Sequence, residues 1–437
     1  MQRPPTARAL AIRVLRDLDR GGFSNRSLSR QLERHPGMDG RERGLTTVLV
    51  YGVLRHRARL DAHIDAHARK PKGLKGEVRH ALRIAAFEML ELERPPAIAV
   101  SEALKGLRHA GPLKGAVQAI LGAIGRDGAA LDASFAEGKP LVVMERRWSI
   151  PRWLGGRWIK QLGPDAALAR AKALAEPPPV DLRLDLGRIT HDDAVARLHD
   201  DHPGIILQPV PDQPQALRTR SGGDLFYGPM HDEGLISVQG LAAQQAARAL
   251  APEPGMRVLD ACAGMGVKTL QLAELMHRRG TLVAADNDPK QLAEAEVLRA
   301  RGRLDDECLT FTHVEADLCG DHDELDAEPF DAVLLDVPCT GLGNLARHPE
   351  IRWQRSYEDI GARAQLQRAL LRRNLLRVRP GGALVYAVCS FAPEEGQDVV
   401  AELLEEGLAT LAHDKTWTPE GDGTEGFYIA RLVRSEG

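Results

Sequence analysis

Towards its C-terminal end the chain carries the stretch Phe330-Asp-Ala-Val-Leu-Leu-Asp336-Val-Pro-Cys339-Thr-Gly-Leu-Gly343. Its apolar run, residues 332–335, has no polar face, which is typical of a buried parallel strand. The strand ends on a carboxylate, a rigid proline and a thiol, and the glycines that follow allow the backbone to turn sharply. In open α/β sheets ligands bind beyond the carboxyl ends of the strands. Asp336 and Cys339 are therefore predicted to face a site.

A second strand of the same character is predicted at Gly382-Ala-Leu-Val-Tyr-Ala-Val388, and it is followed by Cys389-Ser390. Two strands of one sheet would thus each deliver a cysteine at the carboxyl end. From residue 255 onward, similar strands alternate with helices over short links, which indicates a parallel, doubly wound sheet. Strands are predicted at 257–260, 281–286, 309–314, 332–336, 383–388 and 427–432, with helices near 267–278, 288–301, 357–378 and 394–406.

The first part of the chain has a different pattern, helical from residue 6 to about 128 and without strand signals. Helices are predicted around 41–66, 75–93, 97–109 and 113–125, with breaks at proline and glycine. The predicted organisation is therefore multidomain, α and α/β. It comprises an all-α bundle (1–130), a linker (131–150), a small α+β element (151–240) and a Rossmann-like domain (241–437). Within the small element, short alternating segments typical of strands are expected at 182–184 and 204–207, with a helix at 191–199 between them. Residues 236–239 then lead into an alanine-rich helix, 241–250.

Composition narrows the class of protein. Of 437 residues, 43% are hydrophobic and 27% charged, as in globular proteins. No uninterrupted apolar run approaches the roughly 20 residues of a membrane helix, and arginines interrupt the N-terminus where a signal peptide would be apolar. The five cysteines show no paired spacing, so we expect a cytoplasmic protein without disulfides. We also expect a monomer with no membrane partner.

The charge is unevenly distributed along the chain. Residues 1–130 contain 24 Lys and Arg against 13 Asp and Glu, a net charge of +11, whereas the whole chain carries −3. A basic domain joined to an acidic one suggests an anionic partner such as nucleic acid. A solvated helical surface would explain the same charge equally well.

The first β-α turn is Asp260-Ala-Cys-Ala-Gly264-Met-Gly266-Val-Lys268-Thr269. Its small residues let the backbone approach a ligand at a helix N-terminus. It is neither the dinucleotide fingerprint, which needs a third glycine where Thr269 stands, nor a P-loop. Carboxylates end the following strands as well: Asp286 is placed to accept the ribose hydroxyls of a nucleoside, and Asp317 to contact an adenine edge. A nucleoside without pyrophosphate anchoring indicates S-adenosyl-L-methionine, although a lone aspartate at a strand end can equally cap a helix.

These motifs resemble those of the RNA (cytosine-5) methyltransferases, in particular the bacterial small-subunit rRNA branch with a NusB-like N-terminal domain. The first family motif appears as DACAGMGVKT (260–269), the fourth as DVPCTGLG (336–343) and the sixth as YAVCSFAPEEG (386–396). Residues 42–55 resemble the NusB-like part. The similarity extends over nearly the whole chain.

The resemblance implies methylation of C5 of a cytosine in 16S (small-subunit) rRNA through a covalent cysteine–C6 intermediate. Cys389 would attack C6, Cys339 would assist release of the product, and Asp336 would hold the cytosine edge near N3. Chemistry agrees, because C5 attacks a methyl donor only after a thiolate has added at C6. S-adenosyl-L-methionine would bind the residues of the first motif and the acidic strand ends. These residues are Cys262, Ala263, Gly264, Met265, Gly266, Val267, Lys268, Asp286, Asp317 and Asp336.

The chain departs from the family pattern at several positions. The family has Ala-Pro-Gly-Gly where residues 264–267 read Gly-Met-Gly-Val, Thr where Val388 stands, and Gln-Asp where the chain has Gln239-Gly240. One alternative is therefore a non-catalytic RNA-binding or ribosome assembly factor whose altered first motif no longer holds cofactor. Another is a small-molecule or protein methyltransferase. A metal site is not expected, because Cys308, His313, Cys319 and His322 match no zinc spacing.

Overall fold

The computed structural model describes residues 5–107, 113–220, 225, 228–305 and 307–436. The chain forms two compact units, and each unit combines two separate segments of the sequence. Unit 1 comprises Met1–Pro177 together with Leu345–Ser356, and unit 2 comprises Pro178–Asn344 together with Tyr357–Gly437.

Unit 1 is helical throughout its described residues. Its helices are α1 (Ala7–Leu18), α2 (Ser24–Glu33), α3 (Gly40–Arg55), α4 (Arg57–His67), α5 (Gly76–Leu90), α6 (Pro96–Gly106), α7 (Lys114–Ser134), α8 (Pro140–Arg146), α9 (Arg152–Leu162), α10 (Pro164–Ala175) and, from the later segment, α17 (Ile351–Gln354). Residues 131–150, expected as a linker, thus contain the end of α7 and all of α8.

The expected helix start at Thr6 is present, because the Thr6 hydroxyl caps α1 by accepting a hydrogen bond from Ala9 N–H. The buried face of α1 follows the helical period and joins the core of unit 1. The single helix expected over 41–66 is wrong, since it divides into α3 and α4 at His56, whose φ of −103° and ψ of 17° leave the helical range.

The later segment of unit 1 is anchored by a fully buried arginine. The Arg352 guanidinium donates hydrogen bonds to five backbone carbonyls, belonging to Arg55, Trp148, Ser149, Leu174 and Leu345. Each of these acceptors satisfies part of a charge that has lost its hydration. Residues 345–356 are therefore an integral part of the helical unit.

Unit 2 begins with a small antiparallel sheet in the strand order β2-β3-β1-β4. Its strands are β1 (Val180–Leu184), β2 (Leu207–Val210), β3 (Gln213–Thr219) and β4 (Ile236–Val238), with helices α11 (His191–Asp201) and α12 (Pro229–Asp232) between them. The strand expected at 204–207 lies later, at β2, and β3 was not expected at all.

The rest of unit 2 is built on a seven-stranded sheet with the order β10-β11-β9-β8-β5-β6-β7. Its strands are β5 (Arg257–Ala261), β6 (Gly280–Asp286), β7 (Leu309–Glu315), β8 (Phe330–Asp336), β9 (Val378–Val388), β10 (Ala409–Trp417) and β11 (Phe427–Arg434). The five strands from β9 to β7 are parallel, whereas β10 and β11 are antiparallel to their neighbours. The accompanying helices are α13 (Leu241–Leu250), α14 (Val267–Leu275), α15 (Pro289–Gly302), α16 (Asp323–Asp326), α18 (Tyr357–Leu376), α19 (Gln397–Glu405) and α20 (Pro419–Asp422).

The central strands of this sheet are buried on both faces. Alternate residues of β5, β8 and β9 enter two separate hydrophobic clusters, one on each side of the sheet. This burial explains why the strands read as continuous apolar runs. Among the described helices, none combines the length and apolar content that crossing a bilayer requires.

Candidate active site

Two thiols lie at the carboxyl ends of the neighbouring strands β8 and β9. The strands are parallel, with Asp336 opposite Ala387, so that both cysteines follow at the same edge of the sheet. The Sγ atoms of Cys339 and Cys389 are 3.1 Å apart and form no disulfide. The hydrogen bond between them, together with burial, raises the pKa of the Cys339 thiol well above its usual range. This thiol therefore keeps its proton at neutral pH.

The loop that follows β8 is held against the end of β9 by Gly343. Its N–H donates to the carbonyl of Cys389 at 3.0 Å, and its carbonyl accepts from Gly426 N–H at 2.8 Å. A Cβ atom on Gly343 would overlap the Gly426 carbonyl, so this approach requires glycine. Because Gly426 directly precedes β11, the ends of β8 and β9 and the start of β11 are joined at one point.

A buried carboxylate, Glu395, bonds to both segments that carry a thiol. It accepts a hydrogen bond from the backbone N–H of Thr340 at 2.7 Å and from the Ser390 hydroxyl at 2.7 Å, and the Thr340 hydroxyl donates to it as well. Thr340 follows Cys339 and Ser390 follows Cys389 in the chain. One carboxylate therefore contacts the residue next to each thiol.

The turn after β5 leads into the N-terminus of α14 through three residues in the left-handed backbone region. Cys262, Gly264 and Gly266 have positive φ angles of 61°, 57° and 82°. A Cβ atom at Gly264 would meet no atom within 4 Å, whereas at Gly266 it would lie 3.2 Å from Ala295 of α15. The first glycine thus borders open space, and the second lets two helices pack closely. Unpaired N–H groups at a helix start can then face a ligand.

Lys268 connects this turn to the end of β8. Its ammonium group donates to Asp336 at 2.5 Å, and both side chains remain partly exposed, at 17% and 25%. Burial lowers the pKa of Lys268, but the charge and hydrogen bond of Asp336 outweigh it and raise that pKa above its usual value. The ion pair therefore persists across the neutral range.

Cys262, in the same turn, is a poor nucleophile. Burial, followed by the nearby charges of Asp286 and Asp336, raises the pKa of its thiol well above the usual range. The thiolate is the reactive form, so Cys262 is not a candidate for attack. The cysteines at the ends of β8 and β9 are distinguished by their position, because their sulfur atoms lie 3.1 Å apart at neighbouring strand ends.

Comparison with known proteins identifies the family of the chain. The family model described as 16S rRNA methyltransferase RsmB/F matches residues 247–433, the NusB family model matches residues 5–124, and a ferredoxin-like domain model of RsmF/B methyltransferases matches residues 150–225. The ribosomal RNA small subunit methyltransferase B of Salmonella typhi is 30% identical over 407 residues, which cover 90% of this chain and 91% of that protein.

The chain belongs to the 16S rRNA methyltransferase RsmB/F family. The Klebsiella pneumoniae protein of the same description as the Salmonella one is 29% identical over 457 residues and 99% of both chains. The crystal structure of PH0851 covers 99% of both chains with a TM-score of 0.80 at 23% identity, and therefore shares the fold. The predicted NusB-like N-terminal domain and Rossmann-like methyltransferase domain are both confirmed.

The acidic strand ends of this family member differ in their surroundings. Asp286 accepts hydrogen bonds from the N–H groups of Gly264 and Asp288, each at 2.9 Å, so it borders the open turn. Asp317 is exposed and accepts from Cys319 N–H at 3.0 Å. Asp286 and Asp317 lie at the same sheet edge, but the described contacts link only Asp286 to the first turn.

The first carboxylate of the series, Asp260, is a buried structural group. Its Oδ2 accepts from the Thr269 hydroxyl at 2.6 Å, and its Oδ1 has no hydrogen-bond partner among the described residues. Burial raises the pKa of Asp260 to about 7, although the hydrogen bond from Thr269 lowers it.

The family's Gln-Asp pair is altered here, and the carboxylate of Glu425 lies beside Gly240. A Cβ atom on Gly240 would overlap the carboxylate of Glu425, which accepts a hydrogen bond from Ala243 N–H at 3.0 Å in the first turn of α13. A carboxylate thus reaches this helix start from the segment before β11. Gln239 accepts a hydrogen bond from the buried Arg183 and donates to Gln271 at 3.0 Å.

The contacts of Glu395 and Glu425 near the candidate active site were not predicted from the sequence. Glu395 lies within the quoted sixth motif, so its proximity to Cys389 was visible, but its bonds to Thr340 depend on the packing of two strand ends. His313, one of the four residues considered for a metal site, lies 3.1 Å from Glu296. In the described part of the chain, no group of three or more His, Cys, Asp or Glu side chains is placed to hold a metal ion.

Proposed function

We propose that the chain transfers a methyl group from S-adenosyl-L-methionine to C5 of a cytosine in 16S rRNA. The observation that carries the proposal is the pair of thiols, Cys339 and Cys389, 3.1 Å apart at adjacent strand ends. Methylation of an oxygen or an exocyclic nitrogen needs no nucleophilic sulfur. Methylation of C5 does need it, because the pyrimidine ring must first be activated by addition at C6.

The two thiols have complementary roles in this proposal. Cys389 forms the bond to C6, which turns C5 into the nucleophile that takes the methyl group. The thiolate of Cys339 then accepts the C5 proton, the ring double bond re-forms and the Cys389 sulfur is expelled as a thiolate. Cys339 holds its proton at rest because of its raised pKa. It gives this proton to the ring as Cys389 adds at C6, and so becomes the thiolate needed for the later step. The choice of Cys389 as the attacking sulfur rests on the resemblance of residues 386–396 to the sixth family motif.

Asp336 is proposed to hold the edge of the cytosine near N3. Its carboxylate is a quarter exposed and is bonded on one oxygen, Oδ2, by Lys268. A carboxylate fixed in this way can still accept a hydrogen bond from a polar edge of the base. The position of Asp336 at the end of β8, three residues before Cys339, supports this role.

The first turn fits a nucleoside cofactor. Open space at Gly264 allows close approach to the backbone, and Asp286 offers carboxylate oxygens for ribose hydroxyls. At the two departures from the family pattern, Met265 is 46% exposed and Val267 is the first residue of α14. When bound, S-adenosyl-L-methionine supplies an electrophilic methyl group. The segment Cys262–Lys268 with Asp286, Asp317 and Asp336 would hold it.

RNA is the proposed partner of unit 1. Its first 130 residues have a net charge of +11, and exposed lysines on this unit include Lys72 and Lys75. Phosphate contacts from such residues supply affinity without reading sequence.

The deciding experiment is methyl transfer from labelled cofactor to 16S rRNA lacking this modification, followed by digestion to nucleosides. We expect 5-methylcytidine as the labelled product, and bisulfite sequencing of rRNA from a deletion strain should locate the cytosine. A different methylated nucleoside would refute C5 chemistry. Binding of RNA without any transfer would favour the non-catalytic assembly factor.

A further inference from the structure

We propose that Glu395 is a positioning residue for both cysteines: its carboxylate fixes the relative placement of the Cys339 and Cys389 thiols. The proposed function enters only in naming the reaction that these thiols serve. The placement itself rests on contacts in unit 2.

The two oxygens of Glu395 are shared between the two loops. Oε1 accepts from the backbone N–H of Thr340, and Oε2 accepts from the hydroxyls of Thr340 and Ser390. A bond to backbone N–H fixes the main chain directly after Cys339, whereas the bond to Ser390 acts on the residue after Cys389. A single rigid group therefore connects two loops that are 50 residues apart in sequence.

Two further elements, α18 and β9, also donate hydrogen bonds to Glu395. Gln367 of α18 donates to its Oε1 at 3.3 Å and to the carbonyl of Pro338 at 3.0 Å. The hydroxyl of Tyr386, in β9, donates to the Glu395 backbone carbonyl at 2.6 Å. Both the side chain and the main chain of Glu395 are thus fixed, which a positioning residue requires.

The negative charge of Glu395 has an effect separate from its hydrogen bonds, which is to raise the pKa of the Cys339 thiol. The residue is fully buried, and its described partners are neutral donors. Its charge acts on Cys339, because it adds to the hydrogen bond from Cys389 and to burial in raising the pKa of that thiol. Shape and charge can therefore be separated by substitution.

Two substitutions make this separation. Glu395→Gln keeps the length and one carbonyl oxygen, and its amide can donate to the hydroxyls of Thr340 and Ser390, so the geometry survives while the charge is lost. Glu395→Ala removes both. Ser390→Ala and Thr340→Val remove single links and serve if Glu395→Ala fails to fold. The matched control is Glu402→Ala, which removes a glutamate of α19 that pairs with Arg368 at the surface.

The first measurement is the rate of iodoacetamide alkylation of each thiol against pH, by peptide mass mapping, on the full chain without RNA or cofactor. In Glu395→Gln the alkylation profile of Cys339 should move to lower pH, because a nearby negative charge is gone. A residue that only supported folding would not move this profile. Glu402→Ala should leave the profiles of both thiols unchanged.

The second measurement is methyl transfer to rRNA. Displaced reacting groups lose roughly a hundredfold in rate, so we expect a loss of that order in Glu395→Ala, a smaller loss in Ser390→Ala and the smallest in Thr340→Val, whose backbone N–H remains. Glu395→Gln should restore most of the activity. An unshifted Cys339 profile in Glu395→Gln together with unchanged transfer in Ser390→Ala would overturn the proposal. Because alkylation needs no substrate, this outcome differs from finding a product other than 5-methylcytidine.

Discussion

Replacing Asp260 by asparagine should make unit 2 less sensitive to a rise in pH. In the folded protein burial raises the pKa of this carboxyl to about 7, against an ordinary value of 3.8. Between these two values the folded state binds more protons than the unfolded state. The contribution of Asp260 to stability is therefore fully present at low pH and is lost as pH rises towards 7.

The size of the effect follows from the pKa difference. Each pKa unit corresponds to about 1.4 kcal/mol, so between pH 5.5 and pH 8 the wild type should lose about 2 kcal/mol through this group. Asparagine carries no charge, and its carbonyl oxygen can still accept the hydrogen bond from Thr269. The unfolding free energy of Asp260→Asn minus that of the wild type should thus increase by about 2 kcal/mol over this range.

Urea unfolding of both proteins at a series of pH values measures this difference, in which contributions from other groups cancel. Asp331→Asn is the matched control. Burial raises the pKa of Asp331, but hydrogen bonds from Arg257 and Arg379 outweigh it and lower that pKa. Asp331 is therefore ionised in both the folded and the unfolded state above pH 5.5, and the unfolding free energy of Asp331→Asn minus that of the wild type should stay constant with pH. A constant difference for Asp260→Asn as well would refute the reasoning and mean that Asp260 is ionised in the fold.

Three further outcomes are expected. Cys339→Ala should accumulate a covalent protein–RNA adduct on denaturing gels, because the C5 proton cannot leave, whereas Cys389→Ala should form none; the reverse pattern would exchange the two roles. Replacing Lys72 and Lys75 by alanine should make the binding constant for rRNA less sensitive to salt, reducing the steepness of log K against log salt by about 0.7–0.9 per lysine. An unchanged slope would mean that neither lysine contacts a phosphate. Arg352→Met should destabilise unit 1 in urea by about 3 kcal/mol or more, since five carbonyls lose their donor; a loss below about 1 kcal/mol would contradict this account.

The central sheet was predictable because its strands leave a direct trace in the sequence. Strands β5, β8 and β9 are buried on both faces, so each contains a short apolar run. The run in β9 shows only the second part of that strand, which begins at Val378 rather than at the predicted residue 383. Strand β10 gives no such trace, because residues 410–415 are all exposed at the edge of the sheet. The antiparallel direction of β11 was equally hidden, since a short apolar run looks the same in either direction.

The positions of candidate site residues could be predicted only where reactive side chains directly follow buried strands. Cysteines that follow two buried strands had to emerge at one edge, and the structure places their sulfurs in contact. The role of Glu395 depends on two loops meeting, and the position of Glu425 depends on the space left by Gly240. Neither contact can be predicted from the local sequence, because each joins residues that are distant along the chain.

The anchoring of residues 345–356 within unit 1 restricts how this protein can be divided or recombined. The chain passes between the units at three points, near residues 177, 344 and 356. A gene fragment for residues 1–177 would encode a helical unit without the guanidinium that binds its carbonyls. The complementary fragment would carry Ile351 and Arg352 without the core that buries them. Exchange of the helical part by a single recombination event near residue 177 would therefore separate residues 345–356 from the carbonyls that bind Arg352 in unit 1.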